Sequence, residues 1–180
     1  TLLPNKFLAE VDGQCTDLRS AIQTSGLSVG YPAWNLLYYS CYCALPWDTP
    51  EVNVVETGTN IGFSSIILAQ ALRDRKIKSK LQTVDIEPLA TIRAKQNVAK
   101  AGLLEQVDFH TGDSLKFLTD YIVGKELIHF AFLDGSHERD HVVKEFTIIH
   151  PYLKPGRSTV YFDNTCEEGV AEALVIIKET

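Results

Sequence analysis

Apolar positions along the chain fall into two alternating rhythms. Short runs rich in β-branched and aromatic residues at 52–56, 81–86, 107–110, 127–133 and 158–162 read as strands. Between them the spacing becomes helical. Residues 64–73 carry Ile66, Ile67, Ala69 and Leu72. Residues 88–102 open on Glu87-Pro88 and stop at Gly102. Residues 114–123 form a further helix, the next places Val142, Phe146 and Ile149 at i, i+4 and i+7, and residues 167–178 form the last. Ahead of the first strand, Phe7, Val11, Leu18 and Ile22 make residues 6–25 loosely helical, and a second apolar segment covers 31–45. Strands alternating with helices imply right-handed crossovers, hence an α/β fold: a doubly wound, mainly parallel sheet with helices on both faces. Residues 1–50 are expected to form an N-terminal helical extension and 51–180 the core of one domain.

In such a sheet, ligands bind beyond the carboxyl ends of the strands. Four of the five strands here end on an acid (Glu56, Asp85, Asp134, Asp163), and Asp113 follows the other in the loop Thr111-Gly112-Asp113-Ser114. Bulk properties narrow the ligand. With 180 residues, 45% of them hydrophobic, the chain supports one buried core, and its net charge of −6 opposes a large basic surface for nucleic acid. No apolar run approaches the roughly 20 residues of a membrane helix, and the first 30 residues lack the pattern of a secretion signal, so a cytoplasmic location is the expectation. Cys15, Cys41, Cys43 and Cys166 are too unevenly placed for a disulfide framework or a zinc site and read as reduced thiols.

The loop Glu56-Thr57-Gly58-Thr59-Asn60-Ile61-Gly62 lets backbone approach a ligand where glycine removes the side chain. About 29 residues beyond Glu56, Thr83-Val84-Asp85-Ile86-Glu87-Pro88 places a carboxylate suited to ribose hydroxyls. A nicotinamide-dependent oxidoreductase uses the same sheet, but Gly58 and Gly62 do not give its G-x-G-x-x-G spacing, and residues 63–65 supply no third glycine.

The acid-x-Gly-x-x-x-Gly loop together with the acid ending the second strand resembles the class I S-adenosylmethionine-dependent methyltransferases, with their Rossmann-like sheet, across roughly residues 50–165. That resemblance implies that Glu56, Gly58, Thr59, Asn60, Gly62 and Ser64 surround the amino-acid part of the cofactor and that Asp85 holds its ribose. It also implies that Asp113 and Ser114 border its adenine, with Asp134 closing the site. Asn60 stands where many relatives carry a middle glycine. Such domains normally add two more strands after the fifth, which are missing from the pattern here: after Asp163 only residues 167–178 remain, readable as a helix. Arg157 also replaces a glycine common after Pro155-Gly156.

Catalysis would rest on Phe132-Leu133-Asp134-Gly135-Ser136-His137 and Tyr161-Phe162-Asp163-Asn164. Two carboxylates and an amide at neighbouring strand ends offer hard oxygen ligands to Mg²⁺. This resembles metal-dependent catechol-type O-methyltransferases, whose pattern maps the metal to Asp134, Asp163 and Asn164; a broader family shares Asp-Gly-x-His without the motif requiring a metal. His137 stands where the catechol-type enzymes carry a proton-accepting lysine, and histidine can do that work near neutral pH. A turn at Asp163-Asn164 and a simple His137–Asp134 hydrogen bond are the structural alternatives. His110, His129, His141 and His150 show no ligand spacing, and Tyr31, Trp34, Tyr38 and Tyr39 read first as packing. The expected partner is a small-molecule methyl acceptor, with no nucleic acid and no membrane, and a homodimer is the candidate assembly. Fold alone does not separate methyl transfer from hydride transfer or from a non-catalytic domain of the same fold.

Overall fold

The computed structural model describes residues 5–14, 33–49 and 51–179. Five strands form one sheet: β1 (Val54–Thr57), β2 (Leu81–Asp85), β3 (Val107–Thr111), β4 (Phe130–Leu133) and β5 (Thr159–Phe162). Their spatial order is β3-β2-β1-β4-β5, and every pairing is parallel. The chain therefore works outward from β1 in one direction, then returns to its other side with β4. The switch point between β1 and β4 opens a crevice at the carboxyl ends.

Helices α1 (Lys6–Gln14), α2 (Ala33–Ala44), α3 (Phe63–Asp74) and α4 (Pro88–Lys100) cover one face; α5 (Ser114–Tyr121), α6 (Arg139–Ile149) and α7 (Glu168–Lys178) cover the other. The first face holds the larger core, in which Trp34, Leu37 and Cys41 of α2 pack with Phe63, Ile66 and Ile67 of α3. Helix α3 is buried along nearly its whole length, because sheet and N-terminal helices enclose it from both sides. Trp34 and Tyr38 are buried, Trp34 lying edge-on to Phe63, which is the packing role. Tyr39 is 49% exposed, and Tyr31 and Cys15 lie outside the described residues, as do 15–25 of the first helical segment. Cys41, Cys43 and Cys166 are free thiols.

Two strands begin two or three residues later than their apolar runs. At 52–53 and 127–129, side chains take over from the ladder: the Val52 N–H donates to Ser79 Oγ, the Asn53 N–H to His129 Nδ1, and Asn53 Nδ2 to the Leu127 carbonyl. Hydropathy cannot register that exchange. The helix starts were readable, since the Glu87 side chain accepts from the Leu89 N–H ahead of α4, and Asp113 accepts from the Lys116 N–H ahead of α5. Arg157 does not disturb its turn, where the Arg157 and Ser158 N–H groups both donate to the Lys154 carbonyl. Among the described residues no helix is long and apolar enough to cross a membrane.

Candidate active site

Parallel pairing in register aligns the strand ends: Thr57 lies beside Val84 and Leu133, and Leu133 beside Phe162. Asp85, Asp134 and Asp163 are thus gathered at one rim, with the loop after β1 between the first two.

That loop is tightly fixed. The Gly58 and Thr59 N–H groups both donate to the Val84 carbonyl, at 2.9 and 3.2 Å. Gly58 has a φ of +82°, and a Cβ there would run into the Asp134 carbonyl, so no other residue fits. Asn60 is also left-handed, at φ 45°, a conformation asparagine tolerates better than most residues. Its N–H donates to Asp85 Oδ2 at 2.6 Å, while Asp85 Oδ1 accepts from the Glu87 N–H at 2.8 Å. Asp85 therefore locks the loop to the second strand, and each oxygen keeps a lone pair for a ligand.

Two adjoining cavities open at this rim and share Gly58, Asp85 and Gly135. One, of about 370 Å³, is lined further by Val84, Ile86, Gly112, Asp113, Ser114, Ser136 and His141. The other, of about 590 Å³, adds Asn60, Ile61, Glu87, Arg93, Asp134, His137 and Asn164 among its walls. A third, more open hollow of about 640 Å³ lies around Asn53, Leu127 and His129 at the opposite ends of the strands, remote from the acids. Among the residues singled out in the sequence, Gly58, Asn60, Asp85, Asp113, Ser114, Asp134, His137 and Asn164 line the paired cavities.

Glu56, Thr59, Gly62 and Ser64 stand behind that surface. Thr59 and Thr83 share a 2.6 Å hydroxyl hydrogen bond, and Gly62 packs on Ala94 of α4. Glu56 is fully buried and accepts from the Ser65 hydroxyl. Its Oε1 has no hydrogen-bond partner. Burial pushes the Glu56 carboxyl up to about 7 against the lowering effect of the Ser64, Ser65 and Thr83 hydroxyls. The native state thus keeps a proton that the unfolded chain has lost, so stability falls as pH rises from the ordinary glutamate range toward 7. Because Glu56→Gln cannot ionise, its melting temperature relative to the parent is expected to be higher at pH 8 than at pH 5, by roughly 5 °C or more. A pH-independent difference between the two proteins would contradict this.

The Asp134 side of the rim is organised around His137. Its Nδ1 lies 2.8 Å from Glu167 Oε2, and its Nε2 lies 3.5 Å from Asp134 Oδ1. Gly169, in the first turn of α7, permits this, because a Cβ there would collide with the His137 carbonyl and push the helix off the loop. Asn164 donates through Nδ2 to Glu167 Oε1 at 2.8 Å, and its carbonyl accepts from the Glu167 N–H. Asp163-Asn164 is accordingly a turn as well as a donor pair, with Asn164 left-handed at φ 52°. Glu167 was not legible as part of the site, because nothing in the sequence shows that the segment before α7 folds back over the Asp134 loop. The Asp134 carboxyl is pushed up to about 8, chiefly by burial, then by the charges of Asp163, Glu56, Glu145 and Glu167. Asp134 and Asn164 line the larger cavity while Asp163 does not, and the two carboxylates with the Asn164 amide oxygen would offer a dication hard oxygen donors. Among the described residues no three His, Cys, Asp or Glu side chains converge as a metal group by themselves, so the amide and water would have to complete the shell.

Residues 55–165 match the methyltransferase-domain family, and the chain belongs to it. Its fold is that of the class I S-adenosylmethionine-dependent methyltransferases. A catechol O-methyltransferase from Niastella koreensis is 33% identical over 70 residues, covering 39% of this chain and 30% of that protein. The chain therefore matches less than a third of that relative's length. Among solved structures, the O-methyltransferase TomG from Streptomyces achromogenes, in complex with S-adenosylmethionine, superposes with a TM-score of 0.72 at 21% identity, over 98% of this chain and 79% of that one. An O-methyltransferase from Bacillus cereus in complex with S-adenosylhomocysteine gives 0.71 at 19% identity, over 98% and 80%.

Proposed function

We propose that the protein transfers a methyl group from S-adenosylmethionine to a hydroxyl oxygen of a small molecule, with Mg²⁺ assisting. The observation that carries this reading is the placement of His137, which lines a cavity sharing Gly58, Asp85 and Gly135 with its neighbour, so that proton acceptor and cofactor surface meet at one wall. Within the cofactor surface, Asp85 faces both cavities for the ribose hydroxyls, and the Gly58 loop admits backbone contact. The residues therefore fit S-adenosylmethionine, which supplies a sulfonium-bound methyl group.

With Nδ1–H donating to Glu167, His137 keeps the Nε2 lone pair to take the hydroxyl proton as the oxygen attacks the methyl carbon in line. The bond pair returns to sulfur, and S-adenosylhomocysteine leaves. Asp134, Asp163 and Asn164 would hold Mg²⁺, whose charge favours the ionised acceptor oxygen. The family match speaks for methyl transfer over the nicotinamide alternative, and the catechol-type relative for an oxygen acceptor. A small-molecule acceptor also fits the net charge of −6 better than nucleic acid does.

The test is S-adenosylhomocysteine release with a panel of vicinal diols, aromatic and sugar, in Mg²⁺ and after chelation. Turnover that collapses on chelation supports the whole reading. Turnover indifferent to chelation removes the metal, and methylation confined to amines or carbon acids removes the oxygen acceptor.

A further inference from the structure

His141 takes no part in the chemistry above, yet its ring lines the smaller cavity beside Asp113, Ser114 and Ile86. Two contacts fix it, both through Nε2: Ser114 Oγ lies 2.9 Å away and Glu145 Oε1 3.5 Å away. Glu145, one helical turn further along α6, is 1% exposed. Its Oε2 accepts from Thr57 Oγ1 at 3.3 Å, and its Oε1 is without a hydrogen-bond partner. A buried carboxylate held from the strand side, with one oxygen turned to an imidazole, is a costly arrangement for a surface helix unless it orients that ring.

We propose that His141 reads the base of the cofactor, its Nδ1 accepting a hydrogen bond from the exocyclic amino group of adenine while Ser114 and Glu145 pin Nε2. This rests on the cleft being the S-adenosylmethionine site. In this arrangement Nε2–H is donated to Ser114 Oγ at 2.9 Å, with the Glu145 carboxylate 3.5 Å from Nε2 favouring the hydrogen on that side, and the lone pair is left on Nδ1. Ile86, 75% exposed at the same cavity, offers the apolar surface on which a base lies. An acceptor at that position distinguishes a 6-amino from a 6-oxo purine, because the oxo group would bring two lone pairs together.

The charged groups facing the ring are Glu145 and Lys144 on its own helix and Asp113 from the start of α5. The facing Glu145 carboxylate lifts His141 above the ordinary histidine value, burial opposes it, the charge of Asp113 adds to the lift, and Lys144 subtracts. Protonation places a hydrogen on Nδ1 and turns the acceptor into a donor, so preference for the amino base should weaken as pH falls. Acids at the amino-acid end titrate too, but they act equally on two ligands that differ only in the base.

The experiment is calorimetric titration of the intact protein with S-adenosylhomocysteine and its 6-oxo analogue, S-inosylhomocysteine, at pH 8.5 and 5.5. His141→Ala, His141→Phe and Asp85→Ala are measured alongside. The parent is expected to prefer the amino ligand by about tenfold at pH 8.5 and less at 5.5. Both His141 variants should bring the ratio to within about twofold of one while binding remains sensitive to Asp85; phenylalanine keeps the ring packing and lacks the acceptor. A parent ratio near one, or a ratio unchanged in both variants, overturns the assignment and leaves the cofactor reading standing. Failure of the parent to bind either ligand overturns both.

Discussion

Replacing His137 with alanine is expected to lower kcat by about 10²–10⁴-fold, the usual worth of a positioned general base, with affinity for S-adenosylhomocysteine changed by no more than about twofold. The separation follows from geometry. His137 lines the larger cavity, touches Asp134 and Glu167, and is absent from the lining of the smaller cavity, so its removal should withdraw the proposed proton acceptor without disturbing the proposed ribose and base contacts. Single-turnover methylation of whichever diol supports turnover, paired with calorimetry on the same preparation, measures both quantities. Full turnover by the alanine variant would remove His137 from the chemistry, and parallel loss of rate and affinity would make it a structural tie between the Asp134 loop and α7.

The second large effect is expected at Gly58. A methyl group at this position meets two penalties: a left-handed backbone at φ +82°, and collision with the Asp134 carbonyl. Together these should cost about 3 kcal/mol or more, read as a fall in melting temperature of roughly 6–12 °C. Relief requires β4 to move away from the loop after β1, which is the wall the two cavities share, so cofactor affinity should fall with stability. A Gly58→Ala protein with parental melting temperature and affinity would show that the close approach is not needed.

Much of this was legible in the sequence because it is written in local chemistry. The alternation of short β-branched runs with 3.6-residue periodicity gives strands and helices in their right sequence. Glu87-Pro88 and Asp113 announce two helix starts, and the acids ending the strands mark the rim on which the two cavities open. What was hidden depends on pairs of residues far apart in the chain. The ring–backbone tie between His129 and Asn53 shortens two strands at once. Thr59, Ser64 and Glu56 look like loop residues facing outward and are buried behind the cavity walls, because β1 is central and both its neighbours press on it. His141 and Glu145 stand at i and i+4, a spacing that was readable, but a charged pair at that spacing is ordinarily a solvated helix face. Only the layering of α6 over the sheet shows Glu145 buried and His141 turned into the cavity.

On the proposed function, the rim between β1, β2 and β4 binds S-adenosylmethionine through Asp85. The most direct measurement is titration of the protein with S-adenosylhomocysteine, with Asp85→Ala as control and NAD as competitor. Saturable binding that NAD does not displace and that is lost or weakened at least tenfold in a folded Asp85→Ala protein is the expected result. Binding indifferent to Asp85, or displacement by NAD, would contradict it.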